Sequence, residues 1–522
     1  MNQEMFSPIK IELYKNQFWA IAEEMGVTLC RTGYSPNIKE RRDYSCALFD
    51  HRGEMIAQAD HMPVHLGSMP LSVLSAIENF DFFPGDVIIL NDSYRGGTHL
   101  PDITLVTPIF FKDKLFGFSA NRAHHADIGG MSPGSMPLSQ ELFQEGLIIP
   151  PIKLYEKGVL NKGVLDLILA NVRTPQEREG DLRAQIAANE IGKRRILDML
   201  NKYGLTEVTE YIGHLKAYSE RMVRNLIAKM PDGEYTYEDF LDDDGITEDP
   251  IKIAVKITIQ GDQAKVDFSG SSPQVKGCLN CVYAITVSAV FYVFRLCVNA
   301  DIASNSGCLT PIQIIAPRGS IVNAEPPHAV AGGNVETSQR IVDVLLGALS
   351  QALPDRVPAA SSGTMNNLTL GGYDPKKRRY YTYYETIAGG MGARPDRDGI
   401  DGIHTHMTNT MNTPIEALEY AYPFRVTRYH IRRGSGGAGR YRGGDGIRRD
   451  IQVLQEAHFT ILSDRRKFAP YGLQGGEPGQ RGENYLIRDD QEIPLPSKCS
   501  LTLKANDILS IRTPGGGGFG RK

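Results

Sequence analysis

A chain of 522 residues is too long for one compact core and predicts two or three domains. Its 57 Lys and Arg against 61 Asp and Glu leave a formal charge of −4, which argues against nucleic acid or an anionic membrane surface and points to small molecules or other proteins as partners. Seven scattered Cys, an odd number, fit reduced thiols in a cytoplasmic protein better than a disulfide framework, and Met1-Asn-Gln-Glu-Met-Phe lacks the basic and apolar stretches of a signal peptide.

The first element in chain order is an amphipathic helix over 12–29, with Leu13, Phe18, Ile21 and Met25 at helical spacing and a stop at Gly26. Short apolar runs then predict strands at 44–49, 87–90, 104–110 and 115–120, with Pro84-Gly-Asp86 as a tight turn. Two polar-faced helices follow at 179–203 and 207–230, and Pro231-Asp-Gly-Glu marks an exit into strands. A hairpin is expected from 251–259 and 263–268. The apolar run 281–298 is interrupted by Thr286, Ser288 and Arg295 and reads as a buried helix, not a membrane span. A last helix covers 335–353, and roughly the final 90 residues are rich in Gly and Arg. The expectation is an α+β protein with a strand-rich N-terminal domain over 1–230, a central α/β domain over 231–330 and a Gly-rich C-terminal domain over 331–522 that completes the pocket.

The densest chemistry lies in Asn91-Asp-Ser-Tyr-Arg-Gly-Gly-Thr-His-Leu-Pro-Asp102 and Asn121-Arg-Ala-His-His-Ala-Asp-Ile-Gly-Gly130. Imidazole and carboxylate donors suit zinc, manganese or iron with a position left open for water or substrate. Pro101 rules out a helical pair for His99 and Asp102, so an extended or turn conformation must bring them together. Adjacent residues on a strand face opposite ways, so only one of His124 and His125 faces the same side as the other ligands. Each of these residues has an ordinary reading as a turn, cap or packed side chain. Glu40 alone reads as a solvated charge. His61 and His65, separated by Pro63, fit contacts to a ligand or substrate, with a neutral structural role beside it.

Other motifs carry less. Gly434-Ser-Gly-Gly-Ala-Gly439 has Rossmann spacing, but Arg440-Tyr-Arg-Gly-Gly cannot open the required helix. Cys278 and Cys281 have no second pair and read as packing thiols, and no G-x-x-x-x-G-K-[ST] loop is present. His404-Thr-His406 would place two imidazoles on one side of a strand, suiting a metal or a substrate pocket. Thr513-Pro-Gly-Gly-Gly-Gly-Phe-Gly520 alone says flexible end unless a partner or cleft orders it.

Together, Ile38-Lys-Glu-Arg-Arg-Asp-Tyr-Ser-Cys-Ala47, His61-Met-Pro-Val-His-Leu-Gly-Ser-Met-Pro70, Gly97-Thr-His-Leu-Pro-Asp102, His124-His-Ala-Asp-Ile-Gly-Gly130, Gln144-Glu-Gly146, Gly332-Gly-Asn334, Arg433-Gly-Ser-Gly-Gly-Ala-Gly439 and the 513–520 tail closely resemble the hydantoinase B/5-oxoprolinase family. The resemblance implies the B-type subunit of an ATP-dependent hydrolase of hydantoins, N-methylhydantoins, 5-oxoproline or similar lactams. Its A-type partner holds ATP and magnesium, in a hetero-oligomer such as a dimer of heterodimers. The resemblance further implies one divalent metal, zinc before manganese or iron, on Glu40, His99, Asp102 and His124, with His125 as the alternative to His124. His125, His65 or Asp127 would act as general base or orient the water that attacks a carbonyl activated by phosphorylation. Gly332-Gly-Asn-Val-Glu336 and the 404–412 loop are expected walls of the site. A ketone carboxylase of acetone type is the alternative within the family, although such chains tend to be longer; a non-catalytic scaffold is the alternative outside catalysis.

Overall fold

The computed structural model describes residues 7–59, 61–298 and 301–522. The N-terminal hexapeptide read above for a leader pattern lies outside them. The fold is α+β, as expected. Its N-terminal third is built on a seven-stranded antiparallel sheet of β1 (Tyr44–Asp50), β2 (Met55–Gln58), β3 (Val87–Leu90), β4 (Asp102–Phe111), β5 (Lys114–His124), β6 (Ile152–Glu156) and β7 (Val159–Leu160), in the order β2-β1-β5-β4-β3-β6-β7. β1 is buried along its whole length and β4 and β5 along most of theirs, because the sheet is covered on both faces.

On one face lies the helix Pro175–Tyr203. Its Gln185 and Asn189 donate to the Ile103 and Leu105 carbonyls at 2.9 and 3.1 Å. On the other lies the helix Ser68–Asn79, whose Ser68 and Ser72 hydroxyls accept from Arg122 at 2.6 Å each. Polar clamps of this kind tie each helix to one pleat of the sheet, which fixes the direction of every side chain along β4 and β5.

The first helix, Pro8–Thr32, runs past the expected stop at Gly26. That glycine serves a close approach instead: a Cβ there would lie 2.5 Å from the His61 ring. Three further sheets follow. One contains Gly233–Leu241, Ile251–Gln260, Gln263–Asp267 and Ile312–Ile315; the second and third strands make the expected hairpin, and the last pairs in parallel. The apolar helix Tyr283–Cys297 is buried, and among the described residues no helix is long and apolar enough to cross a membrane. One buried apolar cluster extends from Ala47 to Leu462, across both expected domain boundaries, and a separate one fills the C-terminal sheets.

The Gly434–Gly439 segment opens no helix, and the next element is the strand Ile447–Val453. The tail 513–519 is not a loose end. It is buried and bonded to the glycine-rich loops: Gly516 donates to the Gly444 carbonyl at 2.9 Å and Gly517 to that of Ala360 at 2.8 Å.

Candidate metal centre

Three neighbouring strands place the site. In the ladder between β4 and β5, Asp102 lies opposite His124. In the ladder between β1 and β5, Tyr44 pairs with Ala123, so the preceding Asp43 falls beside His124, whose amide donates to the Asp43 carbonyl at 3.0 Å. Asp43, His124 and Asp102 thus form one row across three strands, and residues opposite one another share a face of the sheet. His99 joins them from the turn before β4, where Asp102 N–H bonds back to the His99 carbonyl at 3.0 Å.

Asp102 is the hub. Its Oδ1 lies 3.2 Å from His99 Nε2 and 3.4 Å from His124 Nδ1, and its Oδ2 accepts from Thr98 Oγ1 at 2.7 Å and lies 3.4 Å from His65 Nε2. One ligand atom from each of His99, Asp102 and His124 falls within 4.8 Å of the others, and all three residues are buried. Donors arranged tetrahedrally at about 2.0–2.2 Å from a cation stand about 3.3–3.6 Å apart, so these separations fit a first-row divalent ion. His99 Nδ1 lies 3.3 Å from the Ala331 carbonyl, which fixes the tautomer with Nε2 as the acceptor. The residues His99, Asp102 and His124 therefore fit a divalent metal, and the backbone of Asp43 runs beside them.

The electrostatics favour a charged carboxylate. Burial alone would raise Asp102, but His99 and the hydrogen bonds from His124, His65 and His99 outweigh it and hold the group well below the usual range. Burial pulls His65 and His124 down despite Asp102, whereas Asp102 overcomes burial at His99 and raises it. Burial raises Asp43 against the opposing pull of His124 and Arg41. Buried Arg122 is lowered to about 10 by burial, partly offset by Asp102. The ring of Tyr384 stacks on His124 at 4.1 Å and 16°, and its hydroxyl donates to Asn367 Oδ1 at 2.9 Å.

The other expected residues are dispersed. Glu40 is half-buried at the end of the short helix Pro36–Lys39 and contributes no atom to the cluster. His125 faces the opposite side of β5, with Nε2 2.9 Å from Gln185 Oε1. Asp127 is held by Arg173, whose backbone N–H and Nη1 donate to it at 2.8 and 2.9 Å, and by the amides of Gly129 and Gly134, which makes it a loop-fixing carboxylate. His65 alone of the expected bases touches the cluster, bridging Ser45 Oγ at 2.8 Å and Asp102. Both expected walls are near. Asn334 Nδ2 lies 3.1 Å from His99 Nε2, and the 404–412 loop meets Arg41, which packs over the Tyr384 ring at 4.8 Å. The sequence reading missed Asp43, which strand pairing sets beside His124, and missed Tyr384. Asp43 was discoverable by aligning the ends of the first and fourth predicted strands; Tyr384, from a distant sheet, left no such signal.

The whole described chain matches a family model over residues 7–522, described as hydantoinase B/oxoprolinase. The chain belongs to that family. It is 41% identical over 538 residues to 5-oxoprolinase 1 of Arabidopsis thaliana, covering 98% of this chain and 42% of that protein. It therefore spans about two fifths of that relative's length. The crystal structure of the ATP-dependent caprolactamase from Pseudomonas jessenii superposes with a TM-score of 0.91 at 29% identity, over 99% of this chain and 92% of that one. A nucleotide-free acetone carboxylase structure shares the fold alone, with a TM-score of 0.87 at 20% identity over 99% of this chain and 76% of the other.

Proposed function

We propose that this chain is the metal-bearing B-type subunit of an ATP-dependent cyclic-amide hydrolase that acts with an A-type subunit holding ATP and magnesium. The observation that carries the reading is the buried cluster of His99, Asp102 and His124, in a chain whose near-full-length structural counterpart is named an ATP-dependent caprolactamase. The 42% share of 5-oxoprolinase 1 agrees with a division of labour in which the rest of such a relative corresponds to the partner. The substrate class is a hydantoin, an N-methylhydantoin, 5-oxoproline or a similar lactam. The fold-only likeness to acetone carboxylase adds no argument for a carboxylase.

In this reading Asp43, His99, Asp102 and His124 hold the ion, and zinc suits the mixed imidazole and carboxylate set. A divalent cation bound there supplies Lewis-acid polarisation and lowers the pKa of water. The protein's own part is orientation. Ala331 fixes His99; Thr98 and His65 fix the second oxygen of Asp102; and Tyr384 lies flat on His124, keeping bulk water from that side of the ring. His65 is thereby a positioning residue whose ring can hold a proton between Ser45 and Asp102. His125 and Asp127 take no part.

The test is elemental analysis of purified chain beside His99→Ala, with ATP hydrolysis measured on lactam and hydantoin panels after adding the A-type partner. About one metal per chain in the wild type, little in the variant, and lactam-dependent turnover only with metal are expected. Metal-free wild type that still turns over lactam with the partner would overturn the site.

A further inference from the structure

Glu145, a buried carboxylate that the metal centre leaves unused, reaches that centre through a single residue. It follows the short turn Leu142–Gln144 and presents one oxygen to three donors. Oε1 accepts from Ser139 Oγ at 2.8 Å and from the consecutive backbone amides of Val330 and Ala331 at 2.8 and 2.9 Å. Two successive N–H groups that converge on one anion form a nest, and the anion fixes the backbone that makes it. Among the described residues Oε2 has no hydrogen-bond partner, so the bonding of this side chain falls on Ser139 and the 330–331 backbone. Burial raises the carboxyl to about 7 against the bonds from Ala331, Ser139 and Val330 and the pull of His99, so the contacts that hold the backbone also favour the ionised group.

Ala331 is the link. Its amide is held by Glu145, and its carbonyl lies 3.3 Å from His99 Nδ1. Beyond it Gly333 donates to the Cys278 and Val330 carbonyls, both at 3.1 Å, so the Ala331 carbonyl is braced from either side. An imidazole that binds a metal through one nitrogen takes its tautomer and orientation from the bond the other nitrogen makes. The bond to Ala331 thus leaves Nε2 of His99 unprotonated, 3.2 Å from Asp102 Oδ1. The turn that bears Glu145 is also tied to the second histidine. Met131 donates to the Gln144 carbonyl at 2.8 Å and Leu147 to that of Ile128 at 2.9 Å, both in the loop that continues β5 after His124. Gly130 in that loop has φ +83°, and a Cβ there would lie 2.5 Å from the Glu145 carbonyl. One short segment therefore sets the support of His99 relative to the strand that carries His124.

We propose that Glu145 is a positioning residue for the metal: by holding the Val330 and Ala331 amides it sets the carbonyl that aims His99 Nε2 at the ion. The proposal rests on the metal-centre reading above and adds to it a residue that touches none of the ligands.

The experiment uses the full chain loaded with zinc and, in parallel, with cobalt(II), whose visible absorption reports the geometry of its ligands. Glu145→Ala is expected to bind zinc about ten- to a hundredfold more weakly in competition with a chelator, the range for groups that orient metal-bound histidines, and to shift the bands of bound cobalt. Asp86→Asn is the control for stability alone. Asp86 is equally buried, accepts from the Phe83 and Lys157 amides at 2.9 and 2.7 Å, and contributes no atom to the metal cluster. Its variant should melt lower with zinc affinity and cobalt bands at the wild-type values. A Glu145→Ala chain that behaves in that same way overturns the proposal, since a merely structural carboxylate would do so. Should Glu145→Ala fail to fold, Glu145→Gln decides on the same two readouts, because it keeps an acceptor for the amides but with the weaker bonds of a neutral group. Several-fold weaker zinc binding with shifted bands then supports the role, and wild-type values overturn it. Wild type that binds neither ion removes the metal centre and this role together; wild type that binds both, and is matched by the Glu145 variants, removes the role alone.

Discussion

Asp43 and Glu40 lie three positions apart in one mixed-charge run, yet only Asp43 is carried by strand pairing into the row with His124 and Asp102. Removing the charge of a donor in that row should weaken metal binding at least about tenfold, the scale seen even for groups one bond further from a metal. Asp43→Asn is therefore expected to lower metal affinity in competition with a chelator, and Glu40→Gln to leave it unchanged; the reverse order would transfer the role back to Glu40. The residues differ in legibility for the same reason. His99, Asp102 and His124 stand out because metal-binding side chains are rare and these are dense along the chain. Choosing between Glu40 and Asp43 needs register, because a strand shifted by one residue would turn the other face inward. Nothing in a single sequence tells which tyrosine of a remote sheet, here Tyr384, will stack on His124.

The element that brings the C-terminal half to the centre is the wide turn Gly333–Thr337, a π-helical start to the helix Ser338–Ala352. The apolar period predicts a regular helix from 335 and cannot register one widened turn, since such a turn changes side-chain directions without changing which residues are apolar. Gly333 is required because a Cβ there would collide with the Asn280 carbonyl. The turn sets Asn334 against His99 and Glu336 against Asn367, at 2.9 Å, and Asn367 in turn holds Tyr384. Burial raises the Glu336 carboxyl to about 7, with Asp464 adding and Thr364, Lys498 and Arg466 opposing. A folded-state pKa above the unfolded value means that the native protein keeps a proton the unfolded chain has released. Stability from this group is therefore full below about pH 4.5 and is lost as pH rises through 7, by at most roughly 3 kcal/mol. Glu336→Gln mimics the protonated acid, so its melting temperature relative to wild type should climb by a few degrees between pH 5 and pH 8. Melting curves that shift in parallel across that range would show that Glu336 does not titrate there.

At the scale of the whole molecule, the C-terminal tail locks the glycine-rich loops together. Glycine content alone reads as low complexity, because composition records the missing side chains and not the backbone that occupies their place. Pro514 accepts from Gly390 at 3.0 Å and Gly517 from Ala393 at 2.9 Å, which staples the segment carrying Met391 and leading into Arg394. Gly518 donates to Glu477 and accepts from Leu473, and Phe519 exchanges both bonds with Tyr441. The contact is main chain against main chain: a Cβ on Gly516 would strike the Met391 carbonyl, and one on Gly443 would strike that of Gly516. On the order of ten buried bonds, each contributing about 1 kcal/mol and each leaving an unsatisfied partner when lost, is comparable to the entire stability of a typical domain. Deleting residues 513–522 should accordingly give insoluble or unfolded chain. The milder Gly516→Ala should fold with a melting temperature lowered by several degrees, because its Cβ displaces the Met391 segment, while metal content stays at the wild-type level because the sheet bearing His124 is untouched. A truncated chain that melts like wild type would mean that the tail lies on the loops without holding them.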